Sequence, residues 1–394
     1  MIISSINKKL WSSSFIKIYT SNILLYLATY MILPLLPFEV QRSLHTENLY
    51  EAAFLLCSFP LALFFIGPFY SVLTDQYCRK RIAIVAFLLT IAVLYGYQGM
   101  IGLWSVVLFR FIQGVAFGLG TSLHNTLSLD ITPSSRRSEV NITIFWSKRI
   151  GMFLAPAVGL YLYHYYSFLI VLYVAMACCA LGVLLLSFVH ITFYAPIGVP
   201  KCSFDRFFLI RGWLPALNVI LISFVFGLLM PLFSIVPMAK NISADINIVF
   251  YAGLLISVLF SLFLKRKKEF LVSTMHQTII GLALLFLGLL AFVYVKLSLV
   301  SAIIAMAAVG IGMALSTLDL LIMLVRLCEH CQRATANATY ILSWEIGVSA
   351  GLVVGCFLLD SYALLLETAV TVSGIAFLSY LFITLPYFIS HRLR

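Results

Sequence analysis

Long apolar stretches, separated by short polar or charged segments, run through the whole chain. A helix that crosses a bilayer needs about 20 mostly apolar residues. Runs such as 282–295 lack the alternation of a transmembrane strand. Cutting at charge clusters and at Pro, Gly and Asn breaks predicts an all-α polytopic membrane protein with twelve transmembrane helices. These helices cover 15–38, 50–73, 81–99, 102–127, 140–163, 167–189, 212–237, 247–264, 272–294, 298–323, 335–358 and 363–387.

The longest predicted connection divides the spans into two sets of six. We expect an N-terminal six-helix bundle over 1–190, a cytoplasmic linker over 191–211 and a C-terminal six-helix bundle over 212–394. Duplicated bundles that rock about a midplane site are the usual build of secondary transporters.

The two predicted bundles also repeat in sequence. Arg333 follows Arg137 by 196 positions, and at the same offset the small residues of 150–159 recur in 346–355. Small residues at every fourth position also serve close helix packing by themselves. The shared offset favours duplication, and hence two pseudo-symmetric bundles.

Composition excludes most other classes of protein. The chain is 63% hydrophobic and only 10% charged, whereas soluble domains are about a quarter charged. This excludes a soluble enzyme, a nucleic-acid-binding protein and a secreted disulfide scaffold, and makes the lipid bilayer the first partner. The net charge of +11 is then a topology signal. With both termini in the cytoplasm, the outer loops hold only Arg42, Lys240 and Lys296, which predicts this orientation in the cell membrane.

A motif at the joint of the second and third spans indicates a family. The segment 71–80 resembles the cytoplasmic signature of the major facilitator superfamily, Gly-x-Leu-x-Asp-Arg-x-Gly-Arg-Lys. The residues that match this signature are Leu73, Asp75, Arg79 and Lys80. An acid at a helix end beside basic residues can latch two helices, and we expect Asp130 to accept a hydrogen bond from Arg79. A plain cluster of inner-face cations is the alternative.

Two further motifs support the resemblance, which together with the predicted spans covers the whole chain. Arg110, Gln113 and Gly114 resemble the Arg-x-x-Gln-Gly of the same superfamily. The segment 151–159 resembles the Gly-x-x-x-Gly-Pro-x-x-Gly of its 12-span drug:proton antiporters. The predicted helix-packing residues are Gly151, Ala155, Pro156 and Gly159, with Gly347, Gly351 and Gly355 in the second half. The resemblance implies the major facilitator fold and export of a small molecule by alternating access against protons. A facilitator or proton symporter of a sugar or other small metabolite is the alternative.

Charges inside the predicted spans are the candidate coupling groups, because a charge in hydrocarbon is costly and usually faces a cavity. Glu345 and its repeat counterpart Arg149 lie ~15 Å from the inner ends of their helices at 1.5 Å per residue. Glu345 is the first candidate for proton coupling, followed by Asp319, with Arg110 as the associated cation. A static ion pair of Glu345 with Arg149 or Lys148 is the alternative.

Polar side chains at helical spacing predict a substrate cavity with few polar anchors in a mostly apolar wall. Interhelical hydrogen bonding is the other interpretation. The predicted cavity residues are Tyr19, Asn22, Tyr26, Arg110, Gln113, Thr121, His124, Arg149 and Glu345. The absence of an acid from the first span argues against a cationic drug, and the excess of cations within the spans favours an anionic, zwitterionic or neutral substrate.

Motifs for an ATP-driven pump or a zinc enzyme are missing, since the sequence contains no Walker A or His-Glu-x-x-His pattern. A Gly-x-Ser-x-Gly match occurs at 347–351, but it lies inside a predicted transmembrane helix and not at the strand-to-helix turn that a nucleophilic serine requires. Cys328 and Cys331 are half of a zinc motif, but no second pair follows. We therefore expect a monomeric transporter with no catalytic residues, no cofactor and no bound metal, whose partners are its substrate, protons and lipid.

Overall fold

The computed structural model describes residues 11–190, 207–239, 274–294, 299–329 and 333–391. These residues form helices and contain no β-strand. The helices are α1 Ser13–Met31, α2 Leu36–Leu44, α3 Leu49–Leu55, α4 Ser58–Ile66, α5 Tyr70–Gln76, α6 Arg79–Gly96, α7 Leu103–Asp130, α8 Arg137–Tyr165, α9 Phe168–Ser187, α10 Trp213–Ala239, α11 Thr274–Tyr294, α12 Leu299–Leu327, α13 Arg333–Phe357, α14 Tyr362–Ser379 and α15 Leu385–His391. A π-helical turn, Tyr380–Thr384, joins α14 to α15.

The described helices correspond to eleven of the twelve predicted spans. Nine are long and apolar enough to cross a membrane, and α1 with α2, which are bent by 43°, make a tenth if the two helices are one span. Helix α8 is the eleventh: its 29 residues reach ~43 Å at 1.5 Å per residue, although it carries charges. The predicted span 247–264 and the linker residues 191–206 lie outside the described residues.

Proline breaks the first predicted span. Helix α1 ends at Met31, and α2 begins at Leu36 with Pro37 in its first turn. Pro34, between them, has no N–H to donate and disfavours helical backbone at the residue before it. Pro37 is tolerated because the first N–H groups of a helix have no intrahelical acceptor.

Backbone contacts divide the chain into two compact units. The first unit lies within Met1–Leu33 and Leu61–Ser203, and the second within Pro34–Pro60 and Phe204–Arg394.

The same helix pairs recur inside both units. In the first unit α1 packs on α8 and α9, while α6 packs on α7 and α9. In the second unit α10 packs on α13 and α14, while α11 packs on α12 and α14. This correspondence is the structural form of the sequence repeat.

Glycines allow the tightest of these contacts. In the first unit a Cβ on Gly151 would meet the Ile23 carbonyl of α1, and one on Gly159 would meet the Met31 carbonyl. Ala155 and Pro156 are buried in the same helix. Small side chains let backbones approach closely where no hydrophobic effect drives helices together in lipid.

The second unit has the equivalent stripe between α13 and α10. Cβ atoms on Gly347, Gly351 and Gly355 would meet the carbonyls of Ile220, Phe224 and Leu228, respectively. The glycines among the predicted packing residues therefore lie at backbone contacts in both units.

Candidate functional site

The predicted cavity residues of α7 are all buried. Arg110 is 2% exposed, and Gln113, Thr121 and His124 are fully buried. Arg110 and His124 lie 14 residues apart, ~21 Å along the helix axis. Helix α7 therefore carries two separate polar groups rather than one.

The first group surrounds Gln113. Its Oε1 accepts hydrogen bonds from Arg110 Nη1 at 2.8 Å and from the Tyr97 hydroxyl at 3.0 Å. Two donors on one oxygen assign the orientation of the amide. Gln113 Nε2 is left buried with no hydrogen-bond partner among the described residues.

The second group joins α1, α7 and α8, and we call it the three-helix cluster. It consists of Ser21, Asn22, Thr121, His124, Ser147 and Lys148, and all six side chains are buried. Ser21 Oγ lies 2.8 Å from His124 Nε2, while His124 Nδ1 donates to the Gly120 carbonyl at 2.6 Å. Asn22 Nδ2 donates to Ser147 Oγ at 2.7 Å. Both ring nitrogens of His124 are therefore engaged.

Lys148 and Arg149 are adjacent in sequence but have different surroundings. Lys148 lies next to Ser147 and within electrostatic range of His124. The Arg149 guanidinium lies 5.0 Å from the Phe145 ring centroid and 5.7 Å from that of Phe153, and Arg149 Nη1 lies 3.6 Å from Met152 Sδ. Consecutive helix positions differ by about 100°, which separates the two cations.

The other predicted cavity residues of α1, Tyr19 and Tyr26, contact aromatic side chains. Tyr26 is 4% exposed, and its ring lies edge-on to Phe117 of α7 at 4.9 Å between centroids. Tyr19 is partly exposed and contacts Trp11, with 5.4 Å between ring centroids. An apolar aromatic wall therefore borders the polar cluster.

The ends of α6 and α7 carry the signature residues. Arg79 Nη1 donates to Asp130 Oδ1 at 2.6 Å and also contacts Oδ2, with side chains 12% and 27% exposed. Lys80 Nζ donates to the carbonyls of Ser187 and Val189 at the end of α9. Asp75 lies in α5, but its side chain is outside the described residues.

The second unit holds the two candidate coupling carboxylates. Glu345 of α13 is 3% exposed, and Asp319 of α12 is fully buried. Met323, one turn beyond Asp319, lies 3.7 Å from the hydroxyl of Tyr380 in the π-helical turn. That hydroxyl also donates to the Met275 carbonyl at 3.2 Å.

Asn218 of α10 ties the π-helical turn to the rest of the second unit. Its Nδ2 donates to Thr384 Oγ1 at 2.6 Å, and its Oδ1 accepts from Ser379 Oγ at 3.3 Å. π-Helical turns inside α-helices occur frequently at functional sites. The turn brings Tyr380 to the face of α12 that carries Asp319.

Sequence reasoning missed several of these polar residues as members of a site. They are Ser21, Ser147, Tyr97, Asn218 and Tyr380, which are ordinary residues of largely apolar segments. Only Asn218 gave a usable signal, since an amide in a membrane helix requires a partner. The other four are common residues in such helices, and their partners are distant in sequence.

Comparison with known proteins identifies the family. The sequence profile of the Major Facilitator Superfamily matches residues 18–317, which is well over half of the chain. The chain belongs to the Major Facilitator Superfamily. No curated protein sequence matches this superfamily member.

Solved structures show the superfamily fold. The crystal structure of the human organic anion transporter MFSD10 (TETRAN) is similar, with a TM-score of 0.70 over 94% of this chain and 98% of that chain. The identity of 14% shows the fold alone, and 303 solved chains match in all.

Membership settles the class of activity. This Major Facilitator Superfamily protein is a multi-pass membrane transporter of small-molecule substrates and not an enzyme. The predicted fold class, the superfamily and the transporter class are confirmed.

Proposed function

We propose that this transporter exports a small organic anion by alternating access, in exchange for protons. The distribution of buried charge carries the proposal. In the first unit Arg110, Lys148 and Arg149 are buried, and no carboxylate is buried among that unit's described residues. Burying charge in a low-dielectric interior is costly, so a unit that buries three cations provides an environment that stabilises an anionic substrate.

The second unit has the opposite buried charge. Its described residues bury Glu39, Asp319 and Glu345 and no Lys or Arg. A carboxyl group can alternate between a neutral protonated form and an anion, and buried ionisable residues in membrane helices recur in proton relays. We assign substrate binding to the cations of the first unit and proton carriage to Glu345, with Asp319 as the second candidate.

Two likenesses support the assignment. MFSD10, which shares the fold, is described as an organic anion transporter. The segment from Gly151 to Gly159 resembles the motif of drug:proton antiporters and lies against α1, which favours export over symport.

The transporter also has a defined orientation in the membrane and a two-state transport cycle. The Arg79–Asp130 pair lies at the cytoplasmic end of α7, both termini are cytoplasmic, and the protein acts in the cell membrane as a monomer. The pair stabilises one state of the transport cycle and separates in the other.

Proteoliposomes test the exchange of anion for protons. Benzenesulfonate is suitable because it stays charged and does not leak as a neutral acid. Labelled benzenesulfonate should accumulate when the vesicle interior is acid, and an uncoupler should abolish the accumulation. Accumulation driven by an acid exterior would instead establish a symporter.

The Glu345→Gln variant tests the coupling residue. We expect it to lose accumulation driven by the pH gradient, because glutamine cannot take up a proton, while exchange of labelled for unlabelled benzenesulfonate continues. Glu367→Gln is the control, since Glu367 is exposed in the same unit, and it should keep both activities. Normal accumulation by Glu345→Gln would overturn the assignment of the proton to Glu345.

A further inference from the structure

Lys148 is a buried cation that lacks a counter-charge in its surroundings. Its side chain is 7% exposed. Among the described residues it has no carboxylate within ion-pair distance and no hydrogen-bond acceptor. The charged or titratable groups described near it are His124 and Arg149, neither of which supplies negative charge. A buried ammonium group in such surroundings is stabilised by a bound anion.

Arg149 has a different environment, although it is the neighbouring residue. Its guanidinium lies over the rings of Phe145 and Phe153, one turn before and one turn after it on α8. A guanidinium is stabilised by aromatic faces. The side chain of Lys148 has no such aromatic contact among the described residues, so it differs from Arg149 in needing a ligand.

A second observation in the three-helix cluster also indicates a ligand. Ser147 Oγ donates to the Ile144 carbonyl at 2.7 Å, so its lone pairs accept from Asn22 Nδ2. This assigns the Asn22 amide and leaves its Oδ1 buried with no hydrogen-bond partner among the described residues. Thr121 Oγ1 is also buried with no hydrogen-bond partner among the described residues. Buried polar atoms are nearly always hydrogen-bonded.

These unsatisfied atoms lie in the three-helix cluster, to which Lys148 belongs because it is within electrostatic range of His124. Asn22 bonds to Ser147, the residue before Lys148, and Ser21 bonds to His124. Thr121 lies one turn from His124 on α7, and residues three or four apart share a helix face. The cluster therefore offers one cation, one hydroxyl that can donate and one carbonyl oxygen that can accept.

We propose that Lys148 binds the acidic group of the transported molecule, while Asn22 Oδ1 accepts a hydrogen bond from a hydroxyl or amino group of the same molecule. Thr121 donates to the ligand's acidic group, and the aromatic wall of Tyr26 and Phe117 contacts its apolar body. This inference rests on the proposed export of an organic anion. It specifies the substrate as a small, aromatic or similarly flat acid that also carries a hydrogen-bond donor.

Calorimetric titration of the purified protein with three ligands of similar shape tests the site. The ligands are 4-hydroxybenzenesulfonate, benzenesulfonate and the neutral benzenesulfonamide. The wild type should bind the hydroxylated anion best and the sulfonamide worst. Lys148→Met should weaken binding of both anions at least tenfold and leave the sulfonamide within about threefold, whereas Lys148→Arg should retain the preference for anions.

The controls separate this proposal from loss of folding and from failure of the proposed function. Lys17→Met removes a lysine of α1 whose Nζ donates to the Phe188 carbonyl, and it should bind as the wild type does. Asn22→Leu should remove the preference for the hydroxylated anion over benzenesulfonate. A Lys148→Met protein that is folded and still prefers anions would overturn the Lys148 site alone. A wild type that does not distinguish the anions from the sulfonamide would overturn both proposals.

Discussion

Arg79 and Asp130 form an ion pair in which Arg79 Nη1 contacts both carboxylate oxygens, and their side chains are less than a third exposed. Exposed pairs contribute little to stability because water screens them and long side chains lose entropy. A charge-assisted hydrogen bond that is partly shielded from water is stronger. The pair joins the start of α6 to the end of α7, two helices that pack on each other.

A double-mutant cycle measures this pair at the residue scale. Arg79→Ala and Asp130→Ala should each lower the free energy of unfolding, and the double variant should lose less than the sum, with a coupling of about 1 kcal/mol. Urea unfolding of the purified protein gives the three values. Arg81→Ala, which removes an exposed cation two residues away, should be additive with Asp130→Ala. A coupling of zero for Arg79 would show that the pair does not stabilise the fold.

At the scale of elements, the glycine stripes control how closely helices approach. The atoms that a Cβ on Gly351 would meet are the backbone of α10, namely the Phe224 carbonyl and the Leu228 amide nitrogen. Backbone cannot rotate aside as a side chain can. A Cβ at Gly351 would therefore force α13 and α10 apart.

Gly351→Ala should destabilise the protein by about 1–3 kcal/mol, the usual cost of overpacking. Thermal unfolding followed by tryptophan fluorescence should show a lower Tm. Gly99→Ala is the matched control, because a Cβ at Gly99 meets nothing within 4 Å, and its Tm should stay close to that of the wild type. Equal Tm values for the two variants would mean that α13 and α10 do not depend on this contact.

At the scale of the whole molecule, the distribution of Lys and Arg predicts the orientation of every span. Positively charged loops remain on the cytoplasmic side. With both termini inside, the connection between α6 and α7 lies outside and contains no Lys or Arg.

Reporter fusions expressed in a bacterial host test this topology. Green fluorescent protein fused after Arg394 should fluoresce, because it folds in the cytoplasm, and alkaline phosphatase fused there should be inactive. Alkaline phosphatase fused after Ile101 should be active, because it requires the oxidising exterior. The reverse pattern would contradict the orientation and would reverse the direction of the proposed transport.

The spans were predictable because each follows from a local property, namely about 20 apolar residues between polar breaks. Breaks within a span were harder to predict, since helix α1 ends at Met31 whereas the apolar run continues to residue 38. The burial of Arg110, Gln113 and Glu345 was also predictable, because their helices are too apolar to lie in water. Their partners were not, since Tyr97 and Gln113 meet only through the packing of α6 on α7.

The sequence by itself determined the all-helical membrane fold, its family and the small set of charges inside the spans, because the bilayer acts on each segment separately. Only the tertiary structure decided which of those charges share an environment. It placed Arg149 between two rings of its own helix and Lys148 within electrostatic range of His124 of α7. Neighbouring residues on a helix point in directions about 100° apart, so the role of each depends on the helix that its face meets.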